Sequence, residues 1–470
     1  MTEQPARWSA LLSGKNSLLA FTLTGAVSLH ALTLYMVSTI QPQLIRILDG
    51  FEYYSWTESY FFITTLIGAT LVNRVLDTFG ARRAYVAACL LFALATLACG
   101  LAPSMPVFLL ARLVQGLGSG LLASLTYSMV QLVFEKRLWP HTLALIAGSW
   151  GLATLLGPAL GGIFVFLQQP RMTFFFITAL ALLFAFISAR ILPDGIKSAE
   201  KATPLPWLQL FLLTVIILAI SAISVFDRFI YQAGGAIFAA GLLALLVYVD
   251  KHGQSRMLPQ GAFSPGSMLF SLYALIILLS FPGIVADTFL TLFLQELHGL
   301  SVTLAGYLAV LVSIGWTLGA LLNASAGARK LIKLFMLMPV LSFIGLGVLL
   351  FIIPAEGASY LFLALAAAAL LTVGLASGII WPHLLAQVLH SAPQKDAGLA
   401  SASITQMQLF ASAFGAALAG VIANFAGFHN PGGKIGLQHS AIALFIFLIL
   451  AIIATLPAAW RIIRQIRAEI

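Results

Sequence analysis

The sequence predicts an all-α polytopic membrane protein, and three observations predict it. Hydrophobic residues make up 61% of the 470-residue chain and charged residues only 8%, against roughly a quarter charged in a soluble domain. Mean hydropathy is +1.03 over the whole length, which leaves no room for a large soluble domain. The apolar residues also fall into long runs, and about 20 such residues cross a bilayer as a helix.

Fourteen runs meet that length: residues 18–46, 56–76, 84–102, 106–132, 141–166, 172–190, 207–226, 232–250, 267–294, 302–324, 331–353, 358–385, 399–427 and 438–460. The seventh and eighth are divided only by the Asp227–Arg228 pair. The first run starts near Ser17, after Arg7 and Lys15, and reaches about Leu48; that is too long for a cleaved leader, so it is expected to stay as the first helix. Cys89 and Cys99 lie ten residues apart in the third run, roughly 15 Å along one helix, too far to pair.

Basic residues orient the runs. With the N-terminus in the cytoplasm, nineteen of the 24 Lys and Arg fall on inner segments and only Arg46, Arg171, Arg228 and Lys434 on outer ones. The expectation is a multi-pass protein of the inner (cytoplasmic) membrane with both termini cytoplasmic. The net charge of +9 is then a topology signal and an attraction to anionic lipid; no interleaving of aromatic and basic residues points to nucleic acid.

The longest polar stretches, 191–206 and 251–266, bracket the seventh and eighth runs. They divide the chain into a six-helix N-terminal bundle (1–192), an inserted two-helix hairpin with its linkers (193–265) and a six-helix C-terminal bundle (266–470). A short repeat agrees: GARR at Gly80–Arg83 follows the second run of the first half, and GARK at Gly327–Lys330 follows the second run of the second half. Repeated halves are how many secondary transporters are built.

Three motifs carry chemistry. The loop NRVLDTFGARR, residues 73–83, sets Asp77, Gly80, Arg82 and Arg83 in one short turn: either a topogenic basic loop, or a charge latch that breaks and reforms as helices move. In LLARLVQGLGSGLL, residues 109–122, Arg112, Gly116 and Gly120 share one face with Gln115 beside them. An arginine inside a membrane helix is expensive and points to function unless it snorkels to the surface. In LLGPALGG, residues 155–162, Gly157 and Gly161 make a smooth face for close packing. Pro158 removes a backbone hydrogen bond and favours a bend, and Gly162 follows.

These motifs resemble the signatures of the major facilitator superfamily. Asp77, Gly80, Arg82 and Arg83 match its loop signature, with Asn73 and Ala81 departing from it. Arg112, Gln115, Gly116 and Gly118 are similar to the R-x-x-Q-G-x-G signature of proton-driven drug antiporters. GPALGG resembles the G-P-x-x-G-G signature of the antiporter branch, in the fifth helix where it is expected. YYSWTESYFF (53–62) and FLQELHGLSVTLAG (293–306) look like segments of the fourteen-helix drug:proton antiporters. The resemblance implies two six-helix bundles, an inserted hairpin and alternating access around a central cavity. It also implies proton-coupled export of amphipathic small molecules, that is, multidrug efflux. One departure is pointed: Val37 stands where that branch carries an acid in helix 1. A dedicated exporter of a metabolite or siderophore-like compound is the alternative, and a non-transporting membrane sensor a further one.

Proton coupling needs a group that loads and releases a proton in the membrane. Asp287 is one candidate, in the ninth run just after Pro282–Gly283, which suggest a broken helix; it either titrates or forms a static pair, with Arg112 at similar depth its expected partner. Glu58, near the outer start of the second run, is either a coupling acid or an interfacial one. His30, seven residues before Val37, could replace the missing acid or simply bond a neighbouring helix. No metal-ligand cluster, nucleotide loop or nucleophile motif is present. No enzyme activity, cofactor or metal is expected. The expected partners are a small-molecule substrate, protons and the bilayer, with the chain acting as a monomer.

Overall fold

In hydrocarbon every backbone N–H and C=O must be bonded within its own segment, so long apolar runs have little choice but to be helices. The computed structural model describes residues 8–193, 205–223, 225, 229–253, 255–323 and 326–469, and among them every regular element is helical, with no strand. The Asp227–Arg228 break and most of the 191–206 linker lie outside the described residues. In chain order the long helices are α1 (Gly14–Ile47), α2 (Trp56–Phe79), α3 (Ala81–Leu101), α4 (Met105–Val133), α5 (Trp139–Phe166), α6 (Met172–Ile191), α7 (Trp207–Ile223), α8 (Phe229–His252), α9 (Met268–Glu296), α10 (Val302–Asn323), α11 (Ala328–Ile352), α12 (Tyr360–Ser391), α13 (Ala397–Phe425) and α14 (Gly433–Glu469). Thirteen of these, among the described residues, are long and apolar enough to span a membrane; α7, with 17 residues, is shorter.

The chain divides into two compact units, Met1–Asp49 with Tyr60–Leu205, and Gly50–Ser59 with Pro206–Ile470. In the first unit α1 packs on α5, and α3 packs on α4 and α6. In the second unit α9 packs on α13, and α11 packs on α12 and α14. Counted from the first helix of each set of six, these are the same pairs, first with fifth and third with fourth and sixth. The four-residue GARR/GARK repeat thus has a counterpart in the packing. Helices α7 and α8 pack on each other, and α7 also lies on α13.

Close backbone approach holds a further pair in each unit. In the first, a Cβ added to Gly116 or Gly120 of α4 would run into the carbonyl oxygens of Phe61 and Thr65 on α2, and one added to Gly68 of α2 would meet Leu117 O. In the second, Gly315 of α10 lies against Leu371 O of α12, and Gly374 and Gly378 of α12 lie against Val312 O and Trp316 O of α10. Second and fourth helices of both sets therefore touch through glycine, as membrane helices do when van der Waals packing is their main attraction. Helix α14 is 37 residues long, about 55 Å, well beyond a hydrocarbon core of about 30 Å. Its last turns carry the exposed Arg464 and Arg467. Arg461 Nη1 donates to Pro265 O at 2.5 Å and to Ser271 Oγ at 3.0 Å, tying α14 to the start of α9.

Candidate functional site

The loop between α2 and α3 is built on Gly80. Its φ is 74° with ψ 167°, a backbone region in effect reserved for glycine. Gly80 N bonds Leu76 O at 2.9 Å and its carbonyl accepts from Ala84 N at 2.9 Å, closing α2 and opening α3 in one residue. Arg82 Nε donates to Leu192 O at 2.6 Å, capping the end of α6, while Arg83 is exposed. Among the described residues no ion pair joins Asp77, itself half-buried, to Arg82 or Arg83. The repeat partner Gly327 also precedes a helix but has φ −73°, so the second turn makes no such demand for glycine.

Arg112 does not snorkel: its side chain is fully buried. Nη1 donates to Gln115 Oε1 at 2.6 Å, and the guanidinium lies 4.2 Å from the Phe61 ring centroid. Such a desolvated cation–π contact is worth about 2 kcal/mol. Gln115 Nε2 in turn donates to Thr96 Oγ1 of α3 at 2.9 Å. Gly118 leaves α4 close to α3, where a Cβ would come 2.8 Å from Phe92 N. The helix 4 signature thus has two jobs, glycines that bring α2 and α3 against α4 and an Arg–Gln pair held in the seam. Cys89 and Cys99 are free and buried.

His30 of α1 joins the same region. Its Nδ1 lies 2.5 Å from Ser119 Oγ of α4. Its ring stacks on Phe61 at 5.9 Å and meets Trp150 of α5 edge-on at 5.5 Å. Phe61 therefore receives His30 and Arg112 both, and the two ring systems place four helices around one polar cluster. Sequence reasoning singled out His30 and Arg112 but missed Ser119, Phe61 and Trp150; serine and aromatic residues are too common in membrane helices to stand out. Val37 is buried. In α5, Gly157 packs on Tyr35 and Gly161 on Met36, Thr39 and Ile40 of α1, so this face is a backbone-to-helix seam. Pro158 sits inside an otherwise continuous helix, with Gly162 buried one turn further on.

In the second unit α9 is not broken at Pro282–Gly283, as the sequence suggests; it continues and then widens into a π turn over Ala286–Leu290 that contains Asp287. A single π turn inside a helix frequently marks a functional site, because it turns side chains out of the α register. Asp287 is half-buried. Glu58 is 3% exposed, so it is no solvated interfacial acid. Its segment, residues 50–59, belongs with Asp287 to the second unit. Tyr54, one turn before Glu58, packs its ring 5.4 Å from Phe289, two residues after Asp287, which fixes the two segments against each other. A small apolar void of about 20 Å³ lies behind the turn, against Pro282, Ala286 and Leu290. Arg112 belongs to the first unit and Asp287 to the second. A larger apolar cavity of about 450 Å³, between α7, α8 and α13, has Ile220, Ala236 and Phe414 in its walls and no titratable group. Among the described residues no cluster of His, Cys, Asp and Glu could hold a metal ion.

The comparisons with known proteins agree with this architecture. The sequence profile of the Major Facilitator Superfamily matches residues 23–416. A probable multidrug-efflux transporter of Mycobacterium tuberculosis (strain H37Rv) is 32% identical over 98% of this chain and 99% of its own length. A multidrug transporter protein of Bacillus subtilis (strain 168) is 21% identical over 87% of this chain and 76% of its own. Among solved structures, a peptide transporter crystallised with sulfate superposes with a TM-score of 0.68 at 14% identity, covering 95% of each chain. A D-xylose-proton symporter superposes with a TM-score of 0.61, also at 14% identity, covering 94% of this chain and 98% of its own. Relatives and structural neighbours are transporters, not enzymes.

Proposed function

The chain belongs to the Major Facilitator Superfamily, a multi-pass membrane transporter, and from that premise we propose that it is a proton-coupled exporter of amphipathic small molecules working by alternating access. The observation that carries the proton coupling is the placing of two acids in the second unit, Asp287 in its π turn and Glu58 on the segment whose Tyr54 packs against that turn. Two carboxylates in a membrane interior repel each other, and a proton taken up by either relieves that repulsion. The pair is therefore suited to hold a proton in one state of the transporter and lose it in another. Export of drug-like molecules rests on the mycobacterial relative, whose likeness runs the full length of both chains. The chain is read here as fourteen helices, two sets of six with α7 and α8 between them, both termini cytoplasmic, in the cytoplasmic membrane. Arg112, Gln115 and His30 form the second polar centre, expected to bias the transport cycle, and the Asp77–Gly80–Arg82–Arg83 turn its cytoplasmic gate.

The buried Val37 favours a second reading, in which the substrate is neutral or anionic: α1 offers no carboxylate to a cation there. One experiment separates the readings. Inside-out vesicles with an acidic lumen receive a panel of lipophilic cations, then neutral and anionic amphiphiles, and proton release is followed. Cation-driven release that disappears in Asp287→Asn supports the first reading, and release with neutral or anionic compounds alone supports the second. Undiminished coupled release in both Asp287→Asn and Glu58→Gln removes the acid pair from the mechanism.

A further inference from the structure

His298 lies just past the end of α9 and is almost fully buried, at 5% exposure. Both of its ring nitrogens face backbone carbonyl oxygens: Nδ1 is 2.6 Å from Gly357 O and Nε2 is 3.0 Å from Ile353 O. A carbonyl oxygen only accepts. A neutral imidazole carries a single N–H, so in that form one nitrogen would point a lone pair at an oxygen lone pair. Only the imidazolium, with two N–H groups, satisfies both contacts. The ring also stacks on Phe362, with centroids 3.9 Å apart, a face that suits a cation. Gly357 N completes the junction by donating to Leu297 O at 3.3 Å.

We propose that His298 is a proton-operated clasp, an imidazolium that fastens the end of α9 to the loop between α11 and α12. The clasp is a proton-binding site separate from the acid pair. It stands at the end of the second unit opposite the C-terminus, since α10 leaves from it, α11 returns to it, and α12 and α14 start from it. The basic-residue distribution puts this end outside the cell. External acid then locks the loop to α9, and external alkali frees it. The titratable groups around the ring are few. Glu296 is two residues before it on α9, and Glu356 adjoins Gly357 but is paired with Lys434 of α14 at 2.9 Å. Tyr360 at the start of α12 is almost fully exposed. Tyr307 on α10 and His439 on α14 are carried by the other helices that meet the end of α9.

The test uses the full chain in lipid nanodiscs. Hydrogen exchange of the 353–362 segment, corrected for the intrinsic pH dependence of exchange, is compared at about pH 5.5 and about pH 8.5. The wild type should lose about tenfold in protection at the higher pH, the usual worth of one hydrogen bond from a charged donor. His298→Gln, which cannot gain a proton, should show the same protection at both. Equal protection in the wild type, or an unchanged pH dependence in His298→Gln, overturns the clasp. A pH dependence that vanishes in Glu356→Gln also overturns it, by moving the effect to the Glu356–Lys434 pair. Because a variant can fail to fold, ¹⁵N-histidine spectra of the wild type give an independent reading. Two protonated ring nitrogens on His298 at about pH 5.5 support the proposal, and a single neutral tautomer there refutes it.

Discussion

The glycine seam between α2 and α4 makes a quantitative prediction. In Gly120→Ala the new Cβ meets three backbone atoms of Thr65: it would strike the carbonyl oxygen and lie 2.8 Å from the carbonyl carbon and 2.9 Å from Cα. None of these is a side chain that can swing aside, so the helices must separate by about 1 Å. A gap of that size forfeits a quarter to a half of each dispersion contact it opens, and overpacking of this kind costs about 1–3 kcal/mol. Alanine also favours the helix over glycine by about 1 kcal/mol, which offsets part of the cost. Gly151→Ala in α5 isolates that gain, because nothing lies within 4 Å of its added Cβ. Equilibrium unfolding in mixed micelles should therefore put Gly120→Ala about 1–3 kcal/mol below Gly151→Ala, the propensity gain cancelling between them. Equal stabilities would show that the seam yields without loss and that the glycines are not there for close approach.

Other outcomes follow from single contacts. Gly80→Ala forces an L residue into φ 74° and ψ 167° and should destabilise by about 1–3 kcal/mol; Gly327→Ala, at φ −73°, should be near neutral in the same unfolding assay. Arg112→Leu removes the bond to Gln115 and the contact with Phe61, and vesicle flux should fall more than about tenfold. Arg112→Lys keeps the charge but loses the planar face and should recover only part of that flux. Ser119→Ala strips His30 of its 2.5 Å partner; the unfolding free energy should drop by about 1–3 kcal/mol, and an unchanged value would mean that water replaces the hydroxyl.

What was legible in the sequence was local. Helix-length apolar runs, the loop glycine and the glycines of α4 and α5 all act through near neighbours or through backbone shape, and their spacing shows it. Gly157 and Gly161 read as a packing face and are one. That Glu58 and Asp287 fall in the same unit was not legible, because nothing near either residue records a segment so far away in the chain. Pro282–Gly283 signalled an irregular α9 but not its kind: the helix runs on through Pro282, which has no N–H to donate, and widens one turn later into a π turn. Glu58 reads first as interfacial, since its neighbour Trp56 suits a membrane surface; only the packing of 50–59 with the second unit shows it buried. The second glycine seam, Gly315 and Gly319 with Gly374 and Gly378, was open to a search for small residues four apart in matching helices.

The two seams also separate what each unit must keep from what it can lose. Glycine recurs in α2 with α4 and in α10 with α12, because a backbone-to-backbone contact admits no other side chain without moving both helices. The polar chemistry does not recur. The first unit holds a buried cation with Gln115 and His30, the second holds two acids and a π turn, and the GARK turn lacks the acid and the positive φ of its GARR counterpart. Close packing is a constraint on each half separately, so both halves carry it. Under the proposed coupling one acid pair would suffice for the proton, so the polar residues need not recur as the glycines do. On this argument, exchanging glycines for alanines should damage the two halves alike, whereas neutralising acids should matter in the second unit and leave the folding of the first untouched.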